Sequence, residues 1–219
     1  MKLRFGGQQY TADIPVLKTD RLILRPWRRD DIRTYSRILQ DPDVMRHWGS
    51  GMRYRIKRAV AGLVGRFSDI EARRALVAMD RHWRKHRFGL WALEDRESGA
   101  LLGNAGLTVL DAWTGESTNI EVGWMLARSA WGRGYAVEAG RASLEFAFDV
   151  LQLPRVVSVA FTSNWRSERV MQNLGLKRAG RMRWMGDDVV WYGMDRGDWK
   201  GDAGDPGRRS APSPRRSDG

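Results

Sequence analysis

The stretch at 131–136, Trp-Gly-Arg-Gly-Tyr-Ala, constrains the fold of this chain more than any other. It follows an apolar run at 120–126 and opens a helical pattern over 136–150. Two glycines leave the backbone N–H groups exposed where a strand turns into a helix, and such groups bind anions. Arg128 and Arg133 add positive charge beside this turn. The stretch predicts either a diphosphate site or an ordinary glycine-rich connection, and a glycine pair alone favours the second.

The composition indicates one globular domain. A chain of 219 residues, 42% apolar and 29% charged, can bury one core but is short for two. The absence of cysteine excludes disulfides, thiolate nucleophiles and cysteine metal sites. The N-terminus lacks a secretion-signal pattern, and no apolar run approaches the roughly 20 residues that span a bilayer. We therefore expect a cytoplasmic protein without a membrane partner.

The net charge of +12 is unevenly distributed. Residues 52–87 carry eleven Lys and Arg against three acidic residues. Such a segment either concentrates an anionic partner, such as an acidic peptide, a cofactor phosphate or RNA, or simply solvates its helices. No zinc-finger or RNA-binding signature accompanies it, which argues against sequence-specific nucleic-acid binding. His82 and His86 have helical spacing but no matching carboxylate, so we predict a solvated face rather than a metal site.

The first half of the chain alternates between strand and helix patterns. Alternation across two glycines at 3–10 favours a small hairpin. A first strand at 21–26 ends at a proline, and Asp30 and Asp31 then supply capping chemistry for a helix. Apolar residues three or four positions apart predict two further helical stretches, at 56–67 and 70–83.

The second half predicts a mixed sheet. Three strands in series on short turns, at 89–93, 101–110 and 119–126, argue for antiparallel neighbours. The helix at 136–150 then leads to an apolar strand at 156–161, which implies a parallel pair with a right-handed crossover. A helix from about residue 167 stops at a glycine, and a closing strand pair follows, at 181–184 and 189–195.

The chain divides into three parts on these patterns. We predict an N-terminal extension at 1–16, one folded domain at 17–198 and a disordered tail at 199–219. From Gly201 onward the tail has no large apolar residue, so it cannot bury enough surface to fold.

The order of these elements resembles the GNAT acyltransferase fold, and within it the RimJ/RimL-type N-acetyltransferases. The resemblance implies an α/β fold: a mixed, twisted sheet of about seven strands, helices on both faces and a splayed central strand pair. It covers most of the chain between residues 17 and 196. The segments that carry it are 17–25 (LKTDRLILR), 41–45 (DPDVM), 103–107 (GNAGL), 121–124 (EVGW), 131–138 (WGRGYAVE) and 164–175 (NWRSERVMQNLG).

The resemblance implies acetyl-CoA as the acetyl donor, with its pyrophosphate on the backbone amides of residues 132–136. Trp131 stands where the family often has Gln or Arg, a change that backbone donors tolerate. Asn164 matches the position that contacts the cofactor arm, although it also suits a helix cap. The cofactor residues implied are Trp124, Met125, Leu126, Trp131, Gly132, Arg133, Gly134, Tyr135, Ala136, Asn164 and Ser167. No metal is implied.

The expected reaction is direct attack of an amine on a thioester, which needs a base for the amine proton. Glu121 is our candidate base, acting through water, although a surface carboxylate on the outer strand face remains an alternative. The backbone N–H of Met125 or Leu126 could stabilise the oxyanion. Many family members place a tyrosine acid where this chain has Met171, so Ser167 becomes the candidate donor to the departing thiolate. A backbone-capping role is the alternative for Ser167.

The acceptor is the least determined part of this hypothesis. An α-amine has an ordinary pKa of about 7.7–8.0 and suits a modest base better than lysine, near 10.4. The resemblance likewise favours a protein N-terminus, such as that of a ribosomal protein, with ribosome association. A small antibiotic or metabolite amine is the enzymatic alternative, and a non-catalytic acetyl-CoA sensor or adaptor is the alternative of another class. Exposed sheet edges in this family often pair, so a homodimer is also expected.

Overall fold

The computed structural model describes residues 4–5, 8–9, 14–47, 69–110, 113–115 and 118–201. Two short strands, β1 (Arg4–Phe5) and β2 (Gln8–Gln9), pair antiparallel on either side of the two glycines. The helical stretch expected at 56–67, the first part of the basic segment and the tail beyond residue 201 lie outside the described residues.

The main sheet of the described chain has eight strands in the order β3-β4-β5-β6-β7-β8-β10-β9. Their bounds are β3 (Leu17–Lys18), β4 (Leu22–Arg25), β5 (Leu90–Asp95), β6 (Leu101–Val109), β7 (Ile120–Leu126), β8 (Arg155–Phe161), β9 (Lys177–Trp184) and β10 (Asp187–Asp195). All neighbours are antiparallel except β7 and β8, which are parallel. The mixed sheet is confirmed. The strand beyond the expected seven is β3, whose two residues are too few to show alternation.

Helices cover both faces of this sheet. Their bounds are α1 (Asp31–Gln40), α2 (Pro42–Met45), α3 (Asp69–His86), α4 (Tyr135–Glu145) and α5 (Trp165–Asn173). The larger core cluster packs α4 and α5 on one face, whereas a second cluster packs α1, α2 and the start of α3 on the other. The predicted helix at 136–150 ends at Glu145, where a wider π-helical turn over Phe146–Val150 replaces its last turn.

The start of α1 differs from the cap that the sequence suggests. Asp30 occupies the cap position but accepts no hydrogen bond through its side chain. Asp31 instead accepts from the backbone N–H of Arg28 and binds the buried guanidinium group of Arg25 through both carboxylate oxygens, at 2.8 Å each. Glu94 of β5 accepts from the same guanidinium at 2.6 Å. This charged cluster fixes α1 to the sheet.

Two further expectations need correction. His82 does not lie on a solvated face: the backbone N–H of Val109 donates to its Nε2, and its Nδ1 lies 2.8 Å from the carbonyl oxygen of Phe88. The disordered tail predicted from residue 199 does not include Trp199, because its indole packs on Phe148 and donates to Asp149. Trp199 therefore belongs with the folded domain. No helix in the described part of the chain has the length and apolar character needed to cross a membrane.

Strands β7 and β8 separate almost as soon as they meet. Their pairing consists of one bridge, between Glu121 and Val157. Beyond it the two strands diverge toward their carboxyl ends, which confirms the splayed central pair. We call the space between them the fork.

Candidate active site

The backbone of β7 alternates between two neighbours, and this decides which groups face the fork. The N–H of Ala127 donates to Leu102 of the β6 side at 2.7 Å, and Met125 lies opposite Asn104 of β6 in the same register. Because hydrogen-bonding direction alternates along a strand, Met125 is bonded to β6, while Trp124 and Leu126 direct their backbone groups toward the fork.

This alternation separates the two candidate oxyanion donors. The N–H of Leu126 faces the fork, whereas the N–H of Met125 is directed into the β6 ladder. The side chain of Met125 is buried in the cluster beneath α1. The expectation that Met125 donates to the fork is therefore wrong, and Leu126 is the remaining candidate.

Trp131 closes the far end of the fork. Its indole N–H donates to the carbonyl oxygen of Leu126 at 2.9 Å. That carbonyl faces away from β6, at a position where β8 no longer pairs with β7. The indole N–H therefore takes the place of the backbone donor that a paired strand would provide. The Trp131 ring also packs against both core clusters. Sequence reasoning missed this role because it depends on the tertiary arrangement.

The carboxylate of Glu121 spans the narrow end of the fork. The backbone N–H of Val159 on β8 donates to its Oε1 at 3.3 Å, and the Thr108 hydroxyl of β6 donates to its Oε2 at 3.2 Å. Burial of the carboxyl group raises the pKa of Glu121 to about 7, and the two hydrogen bonds lower it only in part. The residue as a whole is half-buried, while its carboxyl group is enclosed.

Gly123 and Thr108 are the neighbours of the Glu121 side chain on β7 and β6. Gly123 and Glu121 lie two apart on β7 and thus on the same face, and a Cβ at Gly123 would lie 3.7 Å from the carboxyl carbon. Thr108 lies directly opposite Glu121 in the β6–β7 register. Sequence reasoning missed Thr108, although the correct hairpin register would have identified it.

The glycine loop forms an uncapped helix start. Gly132 and Gly134 have φ angles of +73° and +79°, in the left-handed region that favours glycine. Gly134 is the N-cap of α4 and has no side chain to accept from the first N–H groups, and the first intrahelical bond runs from Glu138 back to Gly134. The N–H groups of residues 135–137 therefore remain available at the positive end of the helix.

The Tyr135 side chain links the glycine loop to β5. Its hydroxyl donates to Asp95 of β5 at 2.9 Å, and its side chain is buried. The guanidinium groups of Arg21 and Arg133 lie over its ring at 4.7 and 4.9 Å. The Tyr135 ring therefore anchors α4 to β5.

The start of α5 joins two predicted site residues. Asn164 caps the helix by accepting from the backbone N–H of Ser167 at 3.2 Å, and its Nδ2 donates to the Ser167 hydroxyl oxygen at 3.0 Å. The capping alternative therefore holds for Asn164. The Ser167 oxygen acts here as an acceptor, which leaves its hydroxyl hydrogen for another group. Met171 is buried in the main core and cannot replace a tyrosine acid.

The arginines near the loop differ in their partners. Arg128 forms an ion pair with Asp43 of α2 at 2.6 Å, so its charge is partly neutralised. Arg133 forms no ion pair among the described residues and stacks on Tyr135. Within the described ranges, no three His, Cys, Asp or Glu side chains lie together in a way that could hold a metal ion.

Comparison with known proteins agrees with this arrangement. A model of the acetyltransferase (GNAT) domain family matches residues 21–177. The uncharacterised protein YkkB of Bacillus subtilis (strain 168) is 29% identical over 177 residues, which cover 80% of this chain and 93% of YkkB.

Solved structures share the fold. The acetyltransferase from Agrobacterium tumefaciens strain C58 superimposes with a TM-score of 0.65 at 25% identity, covering 86% of this chain and 99% of that one. RimL, a ribosomal L7/L12 α-N-protein acetyltransferase solved with coenzyme A, gives a TM-score of 0.63 at 15% identity, covering 83% and 97%. With the family model spanning most of the folded domain, this chain belongs to the GNAT family of acetyltransferases.

Proposed function

We propose that the chain transfers the acetyl group of acetyl-CoA to the N-terminal α-amine of a protein, with Glu121 as the base. The observation that carries this proposal is the Glu121 carboxylate in the fork, whose pKa is raised by burial to about 7. A base with that pKa is deprotonated in useful amounts near neutrality and still accepts a proton, as general base catalysis requires.

The residues around the fork fit acetyl-CoA. The uncapped N–H groups that follow Gly134 can hold the diphosphate, since a helix start without a side-chain cap is a ready anion site. The backbone groups of Trp124 face the fork and can hydrogen-bond the pantetheine arm as a neighbouring strand would, whereas the Leu126 carbonyl already accepts from the Trp131 indole. Asn164 and Ser167 lie at the start of α5, and we assign Asn164 to the cofactor arm and Ser167 to its sulfur.

Three groups of the chain serve the reaction. Acetyl-CoA supplies an activated acyl group and a thiolate leaving group. Glu121 accepts the amine proton, directly or through a water. The N–H of Leu126 donates a hydrogen bond to the oxygen that gains negative charge, and the Ser167 hydroxyl donates a hydrogen bond to the sulfur, which leaves as the thiolate while Glu121 keeps the amine proton.

The acceptor follows from matching pKa values. An α-amine titrates near 7.7–8.0, close to the raised pKa of Glu121, whereas a lysine amine near 10.4 lies much further away. RimL, whose fold is similar, acts on the α-amine of ribosomal L7/L12. We therefore propose a ribosomal protein as the acceptor, either free or assembled in the ribosome.

The test is thiol release from acetyl-CoA with peptides of different first residues, aminoglycosides and polyamines as acceptors. We expect turnover on peptides with a free α-amine and none on peptides blocked at that amine. Glu121→Gln should lower kcat by about 100-fold, the usual scale for loss of a general base. Glu97→Gln, which changes an exposed carboxylate in the β5–β6 turn, is the matched control and should leave kcat unchanged.

Two results would redirect the proposal. Turnover confined to small amines would assign the chain to metabolite or antibiotic acetylation. Acetyl-CoA binding without turnover on any member of the panel would favour a sensor over an enzyme.

A further inference from the structure

Strand β9 forms one edge of the main sheet, and no strand of the described chain lies beyond it. The backbone N–H of Thr162 donates to the carbonyl oxygen of Asp188 at 3.1 Å, so Asp188 is bonded toward β8. The residue opposite Asp188 on β9 is Arg183. Because antiparallel pairs alternate, Arg183 and Arg181 direct their backbone N–H and carbonyl groups to the open edge, whereas Met182 is bonded to β10. These edge groups can pair with a further strand.

A tight hairpin holds this edge in place. Met185 and Gly186 connect β9 to β10 with φ angles of +51° and +92°. Two consecutive left-handed residues are typical of the two-residue turn whose twist matches that of the flanking strands. Trp184 and Asp187 lie opposite each other where the turn begins and ends. The edge is therefore a preformed template, and a partner strand need not order it on binding.

The two faces of β9 differ in their chemistry. Arg181 lies opposite Val190, a residue of the larger core cluster, so Arg181 and Arg183 stand on the same face of the sheet as α5. Both arginines are exposed. Met182 and Trp184 alternate with them on the other face, where they are half-buried against a small apolar cluster. A strand added at this edge would meet cations on one face and apolar side chains on the other.

The charges of β9 favour an acidic partner over a second copy of the chain. The strand has four Lys and Arg and no acidic residue. The first two, Lys177 and Arg178, lie within 3.6 Å of acidic side chains elsewhere in the domain. The other two, Arg181 and Arg183, form no ion pair with any residue that the structure describes. Pairing of β9 with another β9 would bring like charges together, which destabilises a sheet, whereas an acidic strand would neutralise them.

We propose that β9 binds an extended acidic segment of a protein partner, which adds to the sheet as a further strand. The backbone of this segment hydrogen-bonds to that of Arg181 and Arg183, and its acidic side chains pair with the two guanidinium groups. Its alternate side chains are apolar and lie beside Met182 and Trp184. A single-stranded RNA would use the two charges but not the backbone groups of the edge, so the geometry favours a peptide.

The direction of β9 relates this docking surface to the fork. Strand β10 is antiparallel to both β8 and β9, so β9 runs parallel to β8. The carboxyl end of β9 therefore lies at the sheet edge toward which β7 and β8 diverge. A protein docked on β9 is thus held at the end of the sheet where the fork opens, a consequence that rests on the proposed function. The docking itself involves no residue of the fork and goes beyond that function.

The experiment measures binding of a fluorescent peptide to the full chain by anisotropy. The probe alternates Glu and Val over the length of β9, and both its ends are blocked, so it has no amine to acetylate. Replacing both arginines in one protein, by Arg181→Ala and Arg183→Ala, should weaken binding about 10-fold, the effect of two lost cross-strand ion pairs.

Two altered peptides separate strand addition from charge attraction. One has the same composition with all Glu before all Val, and the other is N-methylated at the residues whose N–H groups would face β9. Both keep the charge of the probe, but the first loses the alternation and the second loses the backbone donors. We expect each to bind about 10-fold more weakly than the probe.

Arg33→Ala together with Arg37→Ala is the matched control. Both residues are exposed on α1, and their loss changes the net charge by the same amount. This variant should bind the probe as the wild type does. Both double variants should bind acetyl-CoA with unchanged affinity, which verifies that they are folded.

Four results would overturn the proposal. Absence of probe binding would show that the arginines serve only to prevent edge-to-edge pairing. Equal binding of the probe and the two altered peptides would show charge attraction without strand addition. A labelled single-stranded RNA that binds more tightly than the probe, and loses affinity in the Arg181 and Arg183 variant, would assign the surface to nucleic acid. A dimer in sedimentation that the same variant loses would assign the edge to a second copy.

These outcomes are independent of acetyl transfer. The blocked probe reports docking even if the acceptor panel gives no turnover. Conversely, turnover on α-amines without binding of the probe would leave the proposed function in place and remove the docking surface.

Discussion

The guanidinium group of Arg21 donates a 2.8 Å hydrogen bond to the carbonyl oxygen of Arg133, 112 residues further along the chain. The same guanidinium pairs with Glu138 in the first turn of α4 at 2.7 Å, and Glu138 also accepts from the backbone N–H of Arg21. The Thr19 hydroxyl completes this contact. The turn that precedes β4 thereby orients the glycine loop, since it draws the Arg133 carbonyl toward Arg21.

Arg21→Ala should weaken the use of acetyl-CoA through that loop. We expect the KM for acetyl-CoA to rise about 10-fold, because a charged hydrogen bond to the loop is lost. The KM for acetyl-N-acetylcysteamine, a thioester without a diphosphate, should not change. Arg74→Ala, which removes an exposed arginine from α3, is the control. An equal rise for both thioesters would refute a role in diphosphate binding.

Glu121→Gln should stabilise the protein at alkaline pH while it slows the reaction. Folding raises the pKa of Glu121 from an ordinary 4.5 to about 7, so the native state binds the proton more tightly than the unfolded state. The wild-type stability must then fall as pH rises from about 4.5 to 7, by up to about 3 kcal/mol, and stay low above that. Glutamine carries no charge and avoids this loss.

Urea unfolding of both proteins at pH 5 and pH 8 tests the sign. The two should be similar at pH 5, and the glutamine variant should be more stable at pH 8. In parallel, the wild-type kcat/KM should rise with pH through about 7, as a base of that pKa requires. A glutamine variant less stable at pH 8 would argue that the carboxylate is held for structure.

Trp131→Phe should destabilise the fold by about 1–2 kcal/mol, since the carbonyl of Leu126 loses its donor in a partly enclosed site. Trp199→Phe provides a matched control. Its indole is also half-buried, but it donates to the carboxylate of Asp149, which water can solvate. Urea unfolding should show the larger effect for Trp131. Equal effects would mean that ring size, rather than the indole N–H, is what matters.

Asp31→Ala should cost about 3 kcal/mol of stability or more. It leaves the guanidinium of Arg25, only 5% exposed, with one of its two buried carboxylate partners. Arg84→Ala removes a more exposed pair one helical turn from Asp80 and should change stability by less than about 0.5 kcal/mol. Thermal unfolding of the two variants measures the contrast. A small effect at Asp31 would show that water replaces its contacts.

Much of this fold could be predicted from the sequence. The 3–4 spacing of apolar residues located α1, α3 and α4, and the short turns between strands predicted their antiparallel order correctly. The glycine loop was located because a strand pattern ends and a helix pattern begins on either side of it. These signals are local, and local patterns survive without knowledge of the tertiary structure.

The contacts that build the site could not be predicted in this way. The donor to the Leu126 carbonyl is an indole, and nothing in a sequence indicates where an indole N–H points. The contact of Arg21 with Glu138 joins distant segments through two side chains. The exclusion of Met125 from the fork follows only from the β6–β7 register. A shift of this register by one residue would direct the backbone groups of Met125 into the fork instead.

The single bridge between β7 and β8 joins two half-sheets, one from β3 to β7 and the other of β8, β10 and β9. The pantetheine arm of acetyl-CoA in the fork would supply hydrogen bonds that β7 and β8 do not make with each other. The free energy of unfolding of the liganded protein would then exceed that of the free protein by about 2.7 kcal/mol at a ligand concentration of 100 times Kd. It follows that the protein without bound acetyl-CoA unfolds locally more often and is cleaved more readily by cellular proteases. The cellular amount of this protein would then rise and fall with the concentration of acetyl-CoA.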